Sequence, residues 1–410
     1  MDGVYMHQRR KVAVVGLGAV SALGMTVSEY WEGLIAGRCG IGPMDLFDTS
    51  AYRTHIGAQV RDMVPSRHFS KKELRRMSRC DQIGIIAARE AIRDSGLDLL
   101  SVDPEIFGVI LGGGAGGMLS GEKYRRDLKE RVHRPRPSLL IPFSPSVTTD
   151  MVAAEFGCLG PRSTVVTACS SSSTSIGYAA DVIRDGEADI VITGGSDAMC
   201  ELTYSGFNAL RAVDERPCRP FDAERKGLSL GEGAGMLVLE EAGRAKARGA
   251  RIYAELAGYG IAGDAFHMTA PETGGEGAAR TIAAALQDAG AVPEDVDYIN
   301  AHGTATRFND ASETAAIKKI LGEHAYNVSV SSIKSMIGHC LGSAGGLEAV
   351  ATVLSVFHGV IPPTIHYMFK DPLCDLDYTP NHARPRDIRL AISNSLAFGG
   401  NNTTIVIRKA

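Results

Sequence analysis

The stretch Val165-Val-Thr-Ala-Cys169-Ser-Ser-Ser-Ser-Thr-Ser-Ile-Gly177 decides the fold class, because a β-branched run passes in it straight into a segment of helical period. Thr164 to Thr167 reads as a strand, and Ile176, Ala180 and Ile183 then share one helix face. Strand-to-helix alternation of this kind belongs to an α/β protein. The same geometry sets the Cys169 thiol at a helix N-terminus, where unpaired N–H groups and the helix dipole favour a thiolate. Most cysteines are small buried hydrophobes. The polar run Ser170 to Ser175 reads instead as a solvated turn and makes Cys169 a candidate nucleophile.

Outward from this segment, Val12 to Val15, Phe107 to Leu111, Ile190 to Thr193 and Met236 to Leu239 are strand-like, and Gln82 to Ser95 has helical period. A looser copy starts near Arg251, with strands expected at Tyr253 to Gly260, Tyr298 to Ala301, Val328 to Ser332 and Thr404 to Ile407. The strand-turn-helix at Thr164 to Asp185 thus has a partner in Val328 to His358. Two similar halves meeting near Gly249 would place a site between them. Chance echoes in a long α/β chain leave the same trace, so the pattern alone leaves both readings open.

The 410 residues suit two or three domains or one large layered fold, and 44% hydrophobic with 22% charged residues is the composition of a globular protein. A net charge of -4 supplies no basic field for a nucleic-acid backbone. The weakly polar stretch Val12 to Met25, about 14 residues, falls short of the roughly 20 of a membrane span. It follows Arg9, Arg10 and Lys11 like a signal peptide but runs on through Gly16, Gly18 and Gly24 without a cleavage site. Eight cysteines without a CxxC pair suggest reduced thiols and a cytoplasmic location. Gly16-Leu-Gly18-Ala-Val-Ser21 imitates a dinucleotide loop but lacks its third glycine, so a tight strand-to-loop turn is expected there. The charged segment Lys123 to Arg136, ending among prolines within a stretch of about 119–145, reads as a surface insert.

Two histidines lie on Gly-bearing loops at strand ends, in Asn300-Ala-His302-Gly-Thr304-Ala-Thr306 and in Ser331-Ser-Ile-Lys334-Ser-Met-Ile-Gly-His339. Open α/β sheets carry their functional groups at such ends. Near the C-terminus, Asn394-Ser-Leu-Ala-Phe398-Gly399-Gly400-Asn401-Asn402 offers backbone N–H groups that could approach a ligand closely.

Together with Gly231-Glu-Gly-Ala-Gly-Met-Leu-Val-Leu-Glu240 and Lys246-Ala-Arg-Gly-Ala250, these segments resemble the β-ketoacyl-acyl carrier protein synthases, most closely the elongating synthase I and II type. The resemblance covers nearly the whole chain and implies the thiolase-like five-layered αβαβα fold, with halves at 1–249 and 250–410. By motif it implies that Cys169 accepts the acyl group, that His302 and His339 face the malonyl group, and that Lys334 orders the site with Glu348 in Gly345-Gly-Leu-Glu348 as its carboxylate neighbour. Thr304, Thr306 and Asp310 are expected in support. Phe398 resembles the gating phenylalanine, whose N–H joins that of Cys169 in an oxyanion hole. The implied reaction is decarboxylative condensation of an acyl thioester with malonyl-acyl carrier protein, by a homodimer and without a metal or redox cofactor.

The implied carrier partner is acidic, and Lys72, Arg75 and Arg76 match the family's docking patch, in a cluster Lys71, Lys72, Arg75, Arg76 and Arg79 expected on one helix. Arg134, Arg136 and Arg211 are further candidates. Ala115 in the Gly112 to Gly117 loop stands where many synthase II relatives carry Ile, so a roomier acyl pocket is expected unless Phe207 fills it. Other departures are Arg307 for Pro, Ile337 for Thr, Cys340 for an apolar residue, Asn401 for Thr, a short Val213 to Cys218 loop, and Ala397 for a glycine, which is expected to stiffen the gate. None removes a reacting group. They leave open general fatty-acid elongation or a specialised polyketide, polyene or unusual-lipid route.

Three rival classes make different demands. A papain-like protease shares a Cys with a His about 130 residues downstream but needs a signature absent around Cys169. A thiolase needs a second cysteine near the C-terminal turn, and the last here is Cys374. A non-catalytic partner subunit would lack the nucleophile.

Overall fold

The structure, a computed structural model, describes residues 9–131 and 133–410. Its first strand, β1 (Val12–Val20), is buried along all nine residues, as a strand covered on both faces must be. Four more strands of the large sheet follow in the first half: β2 (Phe107–Gly112), β3 (Arg162–Val165), β4 (Ile190–Asp197) and β5 (Gly233–Glu241). The second half repeats the set as β6 (Ala254–Gly263), β7 (Tyr298–Asn300), β8 (Ser329–Ser331), β9 (Leu390–Leu396) and β10 (Asn401–Arg408).

The hydrogen-bonded order is β8-β7-β9-β10-β6-β1-β5-β4-β2-β3, the same arrangement twice, joined back to back. In each half the three outermost strands run parallel and the inner two antiparallel. The halves join where Ala13 pairs with Glu255 and Val14 with Ala254, so the two expected sheets form one continuous ladder.

Six helices complete the layers: α1 (Arg79–Ser95), α2 (Ser146–Phe156), α3 (Ser171–Arg184), α4 (Glu276–Asp288), α5 (Asn309–Leu321) and α6 (Ala344–His358). The central core packs Ile176 and Ile183 of α3 with Leu347, Val350 and Leu354 of α6, between residues of both half-sheets. Outside it, α1 and α2 cover the first half-sheet. Helices α4 and α5 cover the second. The result is the expected helix-sheet-helix-sheet-helix stack.

Several local expectations change. Gly16 and Gly18 lie inside β1 rather than at a turn, and a Cβ on Gly18 would sit 1.9 Å from the Ala87 carbonyl oxygen of α1. These glycines let the helix touch the strand. Strand β9 was not expected, because Ser393, Asn394 and Ser395 make it look like a loop, yet all three are buried. Strand β3 ends at Val165, before Thr167. A longer apolar run than Val12 to Met25 is Leu341–His358, with mean hydropathy 1.2; it is 89% buried, as the core helix α6 with its leading turn. The charged insert forms an exposed helix, Met118–Lys129, against the turn Pro137–Phe143, whose Phe143 ring packs on Gly121. The basic cluster is split: Lys71–Leu74 is one capped turn, and Arg79 opens α1.

Gly18→Ala is expected to lower stability by about 1–3 kcal/mol or more through overpacking. Urea unfolding of the two proteins measures it, and an unchanged midpoint would mean that α1 yields without cost.

Candidate active site

Strand β3 delivers the chain into a tight turn, Ala168–Ser170, from which α3 starts. Ala168 adopts φ 54°, a left-handed conformation that costs a non-glycine residue on the order of 1–3 kcal/mol. It is held there by side chains: Ser171 Oγ donates to the Ala168 carbonyl at 2.7 Å and accepts from the Thr167 N–H at 2.9 Å. The serine run is not a solvated turn. Ser170 to Ser173 and Ser175 are 0% exposed and bond inward, Ser175 to the Gly194 carbonyl at 2.7 Å and Ser173 to Ser395 at 2.8 Å. The serines are the packing surface that fixes Cys169, so they mark its turn for a reason other than exposure.

Cys169 Sγ lies 2.9 Å from His339 Nε2. The His339 backbone is pinned to the first half, its N–H donating to the Ser229 carbonyl at 2.7 Å and its carbonyl accepting from Gly231 N–H at 2.9 Å. His302 stands edge-on to His339, ring centroids 5.4 Å apart. Lys334 Nζ reaches His302 Nδ1 at 3.2 Å and also forms a buried ion pair with Glu348. An ammonium has no acceptor, so Nδ1 must accept and the His302 proton sits on Nε2.

Burial is the dominant electrostatic term. It pushes the Cys169 thiol up to about 11, while the Lys334 charge and the Phe398 N–H pull the other way. The resting group is therefore a thiol rather than the thiolate favoured by the helix N-terminus, with His339 Nε2 as its 2.9 Å neighbour. Burial, with the Lys334 charge, holds both His302 and His339 well below the usual imidazole range. Both rings are neutral at pH 7. Burial raises Glu348, opposed by Lys334.

A cavity of about 280 Å³ reaches Cys169, His302 and His339 and is also lined by Thr304, Thr306 and Phe398. Thr304 and Thr306 join hydroxyls at 2.9 Å on its wall. The Phe398 ring stacks on Phe207, centroids 5.6 Å apart, so Phe207 occupies space beside Phe398. Ala397 has φ -115°, ordinary for any residue, while Gly399 and Gly400 carry the left-handed angles of 81° and 72°.

The remaining candidates spread out. Ala115 is buried, its N–H bonded to Asp197 at 2.9 Å, and does not line this cavity. Asp310 is also away from it, bonding the N–H groups of Phe221 at 2.7 Å and Ala305 at 3.1 Å, so it supports the loop. Ile337 and Cys340 are core residues, whereas Arg307 lies exposed on the cavity wall and Asn401 is exposed at the start of β10. Lys72, Arg75, Arg76, Arg134 and Arg136 are exposed on the surface, and of the basic candidates Arg211 alone lines the cavity. Arg79 is turned inward, paired with the buried Glu232 at 2.6 Å.

Two groups escaped the sequence reading. Glu313 on α5 accepts the N–H groups of His302 and Gly303, each at 2.8 Å, and burial raises its carboxyl to about 7. Arg225, buried, donates to the carbonyls of Thr306 at 3.3 Å and Arg307 at 3.2 Å. The dense polar run Asp222-Ala-Glu-Arg225-Lys-Gly227 was the available signal for the second.

The comparisons agree with this geometry. Residues 9–245 match the Beta-ketoacyl synthase, N-terminal domain, and residues 253–368 its C-terminal domain. The chain is 43% identical over 411 residues to a 3-oxoacyl-[acyl-carrier-protein] synthase 2 of Staphylococcus aureus (strain COL), covering 98% of this chain and 99% of the relative. A synthase of the same name from a Synechocystis strain is 42% identical, with the same coverage. Among solved structures, the ishigamide ketosynthase/chain length factor matches with TM-score 0.94 and 38% identity over 98% of this chain and 100% of that one. A type II PKS acyl-carrier protein in complex with its ketosynthase matches with TM-score 0.90 and 35% identity over the same shares. With a cysteine turn, two neutral imidazoles and a doubled five-stranded sheet on one scaffold, this chain belongs to the β-ketoacyl synthase family.

Proposed function

We propose that the chain condenses an acyl thioester, held on Cys169, with malonyl-acyl carrier protein to give a β-ketoacyl-acyl carrier protein. The observation that carries this reading is the convergence of Cys169, His339 at 2.9 Å and the Lys334-oriented His302 on one cavity. In the first step the Cys169 sulfur attacks the acyl carbonyl, its proton passing to His339, and the carrier thiol leaves with a proton. The N–H groups of Cys169 and Phe398 are assigned to the tetrahedral oxyanion. Malonyl thioester then loses CO2, and the enolate oxygen meets the Nε2–H of His302 and that of His339, whose proton moves from Nδ1 to Nε2 once Cys169 is acylated and needs no base. The enolate carbon attacks the acyl-Cys169 carbonyl, the carbon-sulfur bond breaks, and Cys169 is regenerated. Neutral rings suit this role, since they donate a hydrogen bond without surrendering a proton to the carbanion.

The substrates carry phosphopantetheine on the carrier protein, and the protein brings its own side chains and backbone N–H groups. Docking of an acidic carrier is assigned to Lys72, Arg75 and Arg76, all exposed. The eight free cysteines support a cytoplasmic setting. A homodimer is supported by the two sheet edges. Edge β8 is covered, Val330 N–H bonding the Asp377 carbonyl at 2.8 Å, whereas β3 ends the ladder beside Val166, 57% exposed. An open edge of this kind pairs with another chain. A second reading, a specialised polyketide route with a related partner subunit, is favoured by the likeness to a ketosynthase/chain length factor pair. Sedimentation at twice the 43.5 kDa chain mass is expected for the purified protein alone if the partner is a second copy.

Intact mass after incubation with an acyl thioester should show one acyl adduct, absent from a folded Cys169→Ala variant. An adduct retained in that variant would remove Cys169 from the reaction. His302→Ala and His339→Ala should each slow decarboxylation of malonyl carrier protein by roughly 100-fold to 1,000-fold, the usual loss for one oxyanion donor. Glu313→Gln should slow it less, because Glu313 reaches His302 only through its backbone and otherwise accepts from Asn394 Nδ2. Parent-rate decarboxylation in either histidine variant would deny that ring its role.

Reversing Arg75 and Arg76 to Glu should raise KM for carrier-borne substrates and flatten its salt dependence while sparing acylation by a small thioester. Equal losses with both substrates would point to misfolding instead.

A further inference from the structure

Three cations on the cavity wall have no part in the chemistry above. Arg211, Lys226 and Arg307 line the same cavity as Cys169, and all three are exposed. Among the described residues, no carboxylate lies within ion-pair distance of any of them. The acid that shares the cavity, Asp264, is bonded to Asn402 Nδ2 at 2.6 Å. The neighbouring His267 turns Nδ1 back on its own loop, accepting from Thr269 N–H at 3.1 Å and Ala270 N–H at 3.2 Å.

Their placement is built by the backbone. The two donations from Arg225 to the Thr306 and Arg307 carbonyls clamp the loop of Arg307 beside the segment of Lys226. Arg225 is itself fixed by ion pairs to Asp371 and, at 3.7 Å, Asp310. On the other side, Leu228 N–H donates to the Ala212 carbonyl at 2.8 Å, bringing the segment of Arg211 alongside. That approach requires glycine at 227, where φ is 151° and a Cβ would lie 2.5 Å from the Ala212 oxygen. Arg211 itself holds φ 53°. Three loops distant in sequence are thus tied together so that three unpaired positive charges meet on one wall, at a cost in backbone conformation that an ordinary solvated surface would not incur.

A thioester delivered to Cys169 through this cavity hangs on a long neutral arm that ends in a phosphodiester. We propose that Arg211, Lys226 and Arg307 form the subsite that binds the phosphate of the phosphopantetheine arm. This inference rests on the proposed function and adds to it where part of the binding energy is drawn. The subsite recognises the arm independently of the carrier's surface, and so acts separately from Lys72, Arg75 and Arg76.

The test uses protein-free substrates: malonyl-pantetheine and malonyl-4′-phosphopantetheine, compared by kcat/KM for decarboxylation. The parent should prefer the phosphorylated thioester by roughly 10-fold to 100-fold, the worth of hydrogen bonds to a charged group, and the preference should shrink with added salt. In the double variant Lys226→Gln/Arg307→Gln the preference should collapse towards unity, with thermal unfolding reporting that the fold is kept. If the double variant fails to fold, each single variant should show a partial loss. Equal use of both thioesters by the parent, or a preference that survives in the variants, overturns the proposal. So does a loss seen only with carrier-borne malonyl groups, which would assign these cations to the carrier's acidic surface. Failure of the proposed function would look different: no acyl adduct on Cys169 and no decarboxylation of either thioester.

Discussion

The chemistry of this protein depends on how closely α3 and α6 approach at the centre of the fold. A Cβ on Gly345 would lie 2.0 Å from Ser173 Oγ, and one on Gly346 would lie 2.5 Å from the Gly235 carbonyl oxygen. Across the gap, Ser172 Oγ accepts the Gly346 N–H at 2.8 Å. Small side chains and hydroxyls therefore replace the larger apolar pairs usual between helices. The reason lies one turn upstream on each helix. The turn ahead of α3 carries Cys169, and the turn ahead of α6 follows His339, so the distance between helices sets the distance between thiol and imidazole. A methyl group at 345 would act on that 2.9 Å contact without touching either residue.

The second constraint is the supply of acceptors for loops at strand ends. The sheet register relates the halves: Gly112 pairs with Val165 and Gly195, and Asn300 with Ser331 and Ser393. Two residues beyond these lie Gly114 and His302, on loops whose N–H groups find no strand partner. Each half answers with a buried carboxylate. Asp197 takes the N–H groups of Gly114 at 3.0 Å and Ala115 at 2.9 Å, and Glu313 takes those of His302 and Gly303. Burial raises both acids, to about 6 and about 7, against the pull of these N–H groups. Their cost is offset because an orphaned buried N–H is also expensive.

How much of this was legible follows from which signal each element carries. The halves showed because strands such as Ile190 to Thr193 are continuous apolar runs. Strand β9 did not, since Ser393, Asn394 and Ser395 are polar though buried, and Asn394 and Ser395 find hydrogen-bond partners across the fold. Cys169, His302, Lys334 and His339 stood out by residue type and motif, and the fold brings them together. The same serines that singled out Cys169 were misread, because a polar run in sequence does not reveal whether its partner is water or a glycine-rich helix. The roles of Glu313 and Arg225 were hidden for a related reason: they act on backbone atoms, and even the polar run around Arg225 does not record which carbonyl or N–H across the fold lacks a partner.

The repeat also explains why only one half carries a cysteine at this turn. Ahead of α3 the turn residue Ala168 has φ 54°, and ahead of α6 its counterpart Leu341 has φ 53°. Gly342 therefore occupies the place of Cys169. A Cβ there would fall 2.6 Å from the Gly114 nitrogen and 2.9 Å from Asp197 Oδ2, and the Gly342 N–H is already given to that carboxylate at 2.9 Å. A carboxylate of the first half thus closes the second turn, whereas the Cys169 turn opens on the cavity. In exchange, the chain between strand and turn is longer in the second half, and that extra length is the segment bearing Lys334 and His339. One copy of the turn opens on the cavity, and the other is closed around a connection long enough to bring an imidazole and a cation across to it.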